Sequence, residues 1–275
     1  MNIYVIGKPI KHSMSPIIHN YWLTKYSKSH IYKKKEVNKA FLPQIIKQIK
    51  EHKIIGANIT IPYKKDMFKL LDNLDKNAIQ SKAVNTIYRK ENLIFGENTD
   101  GVGYCEALKR EKKFEISNKN VLVLGSGGAS FGIISELINR KVAKIVISNR
   151  TKKRGVELIE KFQNNDTKFK LIDWKKIEPD SSIDLIINTT SFGMNENETI
   201  KINMKNLKDS IIYSDIIYKP KKTQTMKIFE RKGFITQNGL GMLVNQAAES
   251  FKLWFNIKLT SQDIIEAKEL CEKTY

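Results

Sequence analysis

Cysteine is almost missing from these 275 residues: Cys105 and Cys271 are the only two. Two thiols so far apart in sequence suggest neither a disulfide framework nor a metal-ligand cluster, and they fit a reducing compartment. A run of about 18 apolar residues, the length that crosses a bilayer, is absent. So is a charged-then-apolar leader, because Met1-Asn2-Ile3-Tyr4-Val5-Ile6 goes straight into a strand-like stretch. The expectation is a cytoplasmic chain with no membrane partner. Arginine is scarce too, with six among 48 basic residues against 42 lysines. The net charge of +19 therefore has the wrong make-up for specific nucleic-acid binding, which favours guanidinium groups gathered on one face with aromatics among them. The lysines are spread along the whole chain, and the longest run, Lys33-Lys34-Lys35, stops at Glu36. They read as a solvated surface.

What is present suffices for two domains of ordinary size, with 41% hydrophobic residues to fill two cores. Up to about residue 100 strand and helix alternate. Strands are predicted at Asn2–Ile6, His30–Val37 and Ile54–Thr60, and a hairpin joins Val84–Arg89 to Leu93–Phe95. Ser15-Pro16 opens a helix, with serine read as N-cap and proline at the first helical position. A second helix is expected near Asn38–Glu51, and Asp100 starts a charged helix that carries the chain onward. From Asn120 the pattern changes. Val121-Leu122-Val123-Leu124 is a continuous apolar run, as in a strand buried on both faces of a parallel sheet. Further strands follow at Ala143–Ser148, Phe169–Ile172, Ile183–Asn188 and Ile211–Ile216, which indicates a doubly wound α/β domain. Two helices, Gly241–Phe255 and Ser261–Glu272, close the chain.

Chemistry concentrates in a few strings. Asn58-Ile59-Thr60-Ile61-Pro62-Tyr63-Lys64 and Gly96-Glu97-Asn98-Thr99-Asp100-Gly101 each end a strand with small polar residues and a chargeable group. Such loops hold polyol substrates and transfer protons. Lys64 and Asp100 are the candidate acid–base pair. Lys65 is equally eligible, and Asp100 could be only an N-cap. Gly125-x-Gly127-Gly128-x-Ser130 follows a strand and opens a helix, the setting in which a backbone turn approaches a dinucleotide pyrophosphate. At the end of the next strand, an NAD-type domain would place a carboxylate against the ribose. Here stand Asn149-Arg150-Thr151, then Lys152, Lys153 and Arg154, a set that favours the 2′-phosphate of NADP. Ser13 and Ser15 lie two residues apart before a helix N-terminus, where they could hold a carboxylate or serve only as caps. His12 and His19 have no acidic or thiol partner at metal-ligand spacing, so no metal is expected.

Longer strings carry a resemblance: GKPIKHSMSPIIHN at 7–20, GANITIPYK at 56–64, AVNTI at 83–87, GENTDGVG at 96–103, LGSGGAS at 124–130, SNRT at 148–151, INTTSFGM at 187–194, SDIIYKP at 214–220 and NGLGMLVNQAAESFKLW at 238–254. In this order, over almost the whole length, they resemble the shikimate dehydrogenase family. The resemblance implies NADPH-dependent reduction of 3-dehydroshikimate, with broader shikimate/quinate or NAD use as the alternative. It implies a substrate domain of residues 1–102 plus 239–275 and an inserted Rossmann-type domain of residues 103–238. Lys64 and Asp100 become the catalytic pair. Ser13, Ser15 and Tyr218 are implied at the substrate carboxylate, and Thr60, Lys64, Asn85, Asp100 and Gln246 at the ring hydroxyls. Gly125, Gly127, Gly128 and Ala129 are implied at the pyrophosphate, and Asn149, Arg150, Thr151 and Arg154 at the 2′-phosphate. Thr189, Ser191, Met194 and Gly241 are implied on the nicotinamide side. Where the family often has Arg or Lys after Gly-Gly-Ala-Ser, this chain has Phe131, which removes a possible cation near the phosphates. The expected partners are a small-molecule substrate and at most a second copy of the chain, as monomer or homodimer.

Overall fold

The computed structural model describes residues 1–163 and 165–274. The chain divides into two units, Met1–Gly103 with Leu243–Tyr275, and Tyr104–Met242. The first unit runs β1 (Asn2–Gly7), α1 (Ser15–Lys25), β2 (Ile31–Glu36), a 3-10 turn (Lys39–Phe41), α2 (Leu42–Lys50), β3 (Ile54–Ile59), α3 (Lys64–Phe68), β4 (Asn73–Leu74), α4 (Lys76–Ser81), β5 (Thr86–Lys90), β6 (Leu93–Glu97) and the start of α5 (Asp100–Lys112). The second contains β7 (Asn120–Leu124), α6 (Gly128–Asn139), β8 (Lys144–Ser148), α7 (Lys152–Phe162), β9 (Lys168–Ile172), β10 (Leu185–Asn188), β11 (Ile212–Asp215), α8 (Gln224–Arg231) and β12 (Ile235–Gln237). Then α9 (Leu240–Phe255) leads back to the first unit, which ends with α10 (Ser261–Glu272).

The sheet of the first unit has the order β2-β1-β3-β5-β6-β4. β1 pairs in parallel with β2 and β3, while β3–β5 and β5–β6 are antiparallel, so the predicted hairpin forms the middle of the sheet rather than an edge. Ile45, Ile49, Ile54, Ala57, Ile59, Ile87 and Ile94 are among the buried side chains that close its core. The helix after Ser15-Pro16 starts one residue earlier than expected. Met14 is the N-cap, without a side-chain cap bond, and Ser15 is already helical. That frees the Ser15 hydroxyl from the capping role the sequence suggested. At the far end of α1, Lys25 pairs with Asp263 at 2.7 Å and Trp22 Nε1 donates to the Asp263 carbonyl at 3.1 Å, fastening α10 to α1.

The sheet of the second unit has the order β12-β11-β10-β7-β8-β9, and every pairing is parallel. Counted from β7, this is the 3-2-1-4-5-6 order of a Rossmann-type sheet, with its switch point between β7 and β10. The continuous apolar runs follow from burial on both faces. Val121, Val123, Ile145, Ile147, Leu185 and Ile187 pack on one side, and Leu122, Leu124, Val146, Ile186 and Tyr213 on the other.

His19, on α1, is a histidine within an aromatic cluster. It is fully buried, and its ring stacks on Tyr32 at 4.3 Å. Neither ring nitrogen has a hydrogen-bond partner in bonding geometry, although Asn58 lies close enough to offset a small part of the burial. Burial lowers its pKa to about 3. Because the unfolded chain binds a proton near pH 6.5, the neutral folded state is favoured above that pH and loses stability as pH falls toward 3. At pH 5 this amounts to roughly 2 kcal/mol, at about 1.4 kcal/mol per pH unit. Urea unfolding of the wild type and of His19→Phe at pH 7.5 and pH 5 should differ by that increment, the variant being less acid-sensitive. Identical pH dependence would show that His19 is protonated or solvated in the folded state.

Candidate functional site

In the first unit the two polar strings meet on Asn85. Lys64 opens α3 and Asp100 opens α5, and Lys64 Nζ lies 2.5 Å from Asp100 Oδ2. The side chains are 17% and 6% exposed, so this pair is mostly screened from water. Asn85 Nδ2 donates to Asp100 Oδ1 at 2.8 Å and to Thr99 Oγ1 at 2.9 Å, and approaches Gln246 Oε1 at 3.3 Å. Asn85 Oδ1 accepts from Thr99 N–H at 2.9 Å and from Thr86 Oγ1 at 3.0 Å. Two backbone bonds set the loops in place: Ile59 N–H to Asn85 O at 2.7 Å, and Val84 N–H to Lys64 O at 3.0 Å. Lys65 is exposed, which separates it from Lys64. The sequence reading left out Thr99, which bridges Asn85 to the Gln246 carbonyl at 3.1 Å. Its sequence signal was the polar run Asn98-Thr99-Asp100 itself, and the structure buries all three residues.

A second polar chain runs beside the first. Ser13 Oγ donates to Ser15 Oγ at 3.2 Å and accepts from Ser15 N–H at 3.3 Å. Ser13 is half-buried and Ser15 is buried. Tyr32 OH donates to Asn58 Oδ1 at 2.7 Å, and Asn58 Nδ2 donates to Ser250 Oγ at 2.9 Å and to the Asn85 carbonyl at 3.1 Å. The polar network is therefore wider than the residues read from motifs, and Asn58, Tyr32, Thr86 and Ser250 form its floor. Thr60 is half-exposed and donates its N–H to Ile6 O at 2.8 Å.

In the second unit the glycine turn follows β7. Gly125 has φ +105°, and a Cβ there would lie 2.7 Å from Thr190 Cγ2 and 2.8 Å from Thr189 Oγ1, so only glycine fits. Gly127 and Gly128, in contrast, face open space: a Cβ on either would meet nothing within 4 Å. Ser130 Oγ accepts from Gly127 N–H at 3.0 Å and bonds to Thr189 Oγ1 at 2.6 Å, while Thr189 Oγ1 donates to Leu124 O at 2.7 Å. Thr189 is thus fixed beneath the turn. The amides of the first turn of α6, Gly128 and Ala129, remain the donors for an anion. At the end of β8, Asn149 Nδ2 donates to Thr151 O at 2.8 Å, and Arg150 and Arg154 are exposed around the N-terminus of α7, where Thr151 is N-cap without a side-chain bond. Phe131 packs against Phe162, and Lys161 Nζ lies 4.7 Å from the Phe131 ring centre.

The remaining motif residues are placed less uniformly. Ser191 and Met194 are exposed on the segment after β10, and Tyr218 is half-buried after β11, at the carboxyl ends of the strands where such sheets bind ligands. Gly241 is buried, and a Cβ on it would lie 2.3 Å from Glu111 Oε1 and 3.1 Å from Ala107 Cβ, both of α5. Among the described residues no group of three or more His, Cys, Asp or Glu could hold a metal ion, and no helix is long and apolar enough to cross a membrane.

These features define a two-unit α/β protein in which a Rossmann-type dinucleotide-binding unit accompanies a unit built around a buried lysine–aspartate pair. Residues 5–87 match the family model described as shikimate dehydrogenase substrate binding domain, 107–217 the shikimate / quinate 5-dehydrogenase model, and 239–263 the shikimate 5'-dehydrogenase C-terminal domain. The chain is 40% identical over 262 residues to the shikimate dehydrogenase (NADP(+)) of Pyrococcus abyssi (strain GE5 / Orsay), covering 94% of this chain and 93% of that one. It is 38% identical over 253 residues to that of Pelagibacter ubique (strain HTCC1062), covering 92% of each. A crystal structure of a shikimate dehydrogenase in complex with NADP+ superposes with a TM-score of 0.87 at 32% identity, covering 100% of this chain and 96% of the other. The chain belongs to the shikimate dehydrogenase family.

The contact between α5 and α9 gives a test of the site's framework. A Cβ on Gly103 would lie 2.5 Å from Gln246 N and 2.7 Å from its Cα. Helix propensity alone favours alanine by about 1 kcal/mol. Backbone cannot yield as a flexible side chain does, so overpacking should win and Gly103→Ala should lose about 1–3 kcal/mol. Thermal or urea unfolding reads the sign directly; a more stable variant would mean that α5 and α9 do not meet at Gln246.

Proposed function

We infer that this chain catalyses the reversible reduction of 3-dehydroshikimate to shikimate with NADPH. The observation that carries the reading is the Lys64–Asp100 pair, held out of water by Asn85 at the junction of the two polar loops. When bound, NADPH supplies the hydride that reduces the ring carbonyl carbon. The chain's own task is the proton and the charge on the oxygen. The Lys64 ammonium donates toward that oxygen as negative charge develops there. Asp100 accepts from Lys64 through Oδ2 and is itself oriented through Oδ1, so the lysine is aimed before substrate arrives.

In this reading the unit of residues 1–103 and 243–275 binds the substrate. Ser13 and Ser15, with Tyr218, take its carboxylate, while Thr60, Asn85 and Gln246 stand near the ring hydroxyls. Asn85 acts mainly by holding Asp100, since its amide is already engaged. The second unit suits a dinucleotide: the open space over Gly127 and Gly128 leaves room for a pyrophosphate, and the free first-turn amides of α6 would receive it. Asn149, Arg150, Thr151 and Arg154 suit a 2′-phosphate, because that strand end offers guanidinium groups and no carboxylate. Ser191 and Met194 belong with the nicotinamide. Cys105 and Cys271, both buried free thiols, agree with the cytoplasmic setting that belongs to this reading, in which the enzyme works as monomer or homodimer. NADPH formation from shikimate and NADP tests the whole reading; turnover only with quinate, or only with NAD, would replace the substrate or cofactor named here.

Two mutational outcomes follow. Lys64→Ala and Asp100→Ala should each lower kcat by roughly 10²–10⁴, the usual worth of a positioned acid or base. Since both serve one proton, the double variant should lose much less than the product of the single losses, and Lys65→Ala should be mild. Fully multiplicative losses would argue against a coupled pair. For the cofactor, Arg150→Ala should raise KM for NADP by about one to two decades, as expected for losing a charge-assisted bond of about 1.5–3 kcal/mol, with KM for NAD nearly unchanged. Equal changes in both constants would remove Arg150 from the 2′-phosphate.

A further inference from the structure

At the carboxyl ends of β10 and β11 lies a carboxylate that the chemistry above does not use. Asp215 ends β11 opposite Asn188, and it is 1% exposed. Its Oδ2 accepts from Asn188 Nδ2 and from Thr223 Oγ1, both at 3.1 Å, with Tyr213 OH at 3.5 Å, and its Oδ1 accepts from Ile217 N–H at 3.0 Å. The groups that hold it are all neutral, and burial pushes its pKa up to about 6. A buried anion without a cationic partner is costly, so its presence asks for a use beyond packing.

Its partners indicate the use. Asn188 also donates to Phe192 O at 3.0 Å and accepts from Thr190 N–H at 3.0 Å and Thr190 Oγ1 at 2.7 Å, which shapes the segment from 189 to 194. Gly193 of that segment lies so near Thr223 that a Cβ would come within 3.3 Å of it. Thr223 caps α8 by accepting from Met226 N–H, and Ile217 begins the stretch that carries Tyr218. One carboxylate thus ties the root of the segment bearing Ser191 and Met194 to both ends of the segment from 216 to 223.

We propose that Asp215 is a positioning residue, whose carboxylate sets segments 189–194 and 216–223 together so that Tyr218 meets the substrate while Ser191 and Met194 meet the nicotinamide. The proposal rests on the ligand roles given above for those three residues, and its test separates the two. Asp215→Asn keeps the size and removes the anion. Amide hydrogen exchange should then quicken in 189–194 and 216–223, Ile217 and Thr190 included, with the sheet strands unchanged. KM for shikimate and Kd for NADP should rise about tenfold or more, as misplacement of binding groups by an ångström does. Tyr218→Phe added to Asp215→Asn should cost little further KM, because a misplaced tyrosine has already lost its bond. Should Asp215→Asn fold poorly, Thr223→Val, which deletes one donor to the carboxylate, gives the same exchange readout in 189–194. Unchanged exchange in both segments, loosening spread evenly over the unit, or multiplicative losses with Tyr218→Phe would each overturn the proposal. If Tyr218→Phe alone leaves KM for shikimate unchanged, the tyrosine's substrate role fails, and the exchange data still decide for or against Asp215.

Discussion

Asn85 sits where water cannot reach, and a buried carboxamide must place two protons and an acceptor oxygen within the protein or cost several kcal/mol. Its partners come from widely separated stretches: Asp100 and Thr99 from the start of α5, Thr86 from β5, Gln246 from α9. Satisfying that one side chain therefore fixes the hairpin, the entry to α5 and the returning helix at once. The Lys64–Asp100 pair inherits its geometry from this arrangement. Of the two aspartate oxygens, one is held by a neutral donor and the other faces the ammonium, which leaves Lys64 little freedom to choose another partner.

The second unit solves a different problem, the approach of backbone to a ligand. In sheets of this order the loops at the switch point turn away from each other and leave a crevice above the strand ends, and here that point lies between β7 and β10. Gly125 lets the chain turn against Thr189 and Thr190, and the hydroxyls of Ser130 and Thr189 stiffen the turn from beneath. Next door, the Asp215–Asn188–Thr223 cluster does for two segments what Asn85 does in the first unit. Both units thus rest loops at strand ends on buried polar groups whose hydrogen bonds are made within the protein, and such networks are rigid because a partly satisfied one is so unfavourable.

Charge is abundant in this chain, but little of it is guanidinium. The surplus comes from lysine, which is strongly hydrated and well suited to a solvated surface. Of the six arginines, Arg150 and Arg154 stand together at the start of α7, while Arg140 is committed to Glu136 and Glu106 at 2.8 and 2.9 Å. Planar guanidinium groups suit phosphate, so their placement at a helix N-terminus is more informative than the total charge.

Much was legible in the one-dimensional chain because it depends on neighbours in sequence. The runs Val121–Leu124 and Ile145–Ile147 announced a sheet buried on both faces, since only such strands can be apolar at every position. The glycine turn was legible for the same reason: a left-handed φ at Gly125 is a local demand. What the sequence could not decide was any choice between chemically equal candidates. Lys64 and Lys65 are the same residue type side by side, and only the distance to Asp100 separates them. Ser15 had the look of an N-cap, yet the helix begins at it, Met14 is the N-cap, and the Ser15 hydroxyl accepts from Ser13 two residues away. Thr189 carries a motif position, and only the tertiary structure shows that its hydroxyl bonds to Leu124 O and Ser130 beneath the glycine turn. Asp215 looked like part of a strand, and its meaning comes from Asn188 and Thr223, 27 and 8 residues away. Local periodicity and backbone stereochemistry are written in sequence order; which buried polar group finds which partner is settled only when distant segments are brought within 3 Å, where hydrogen bonds form or fail.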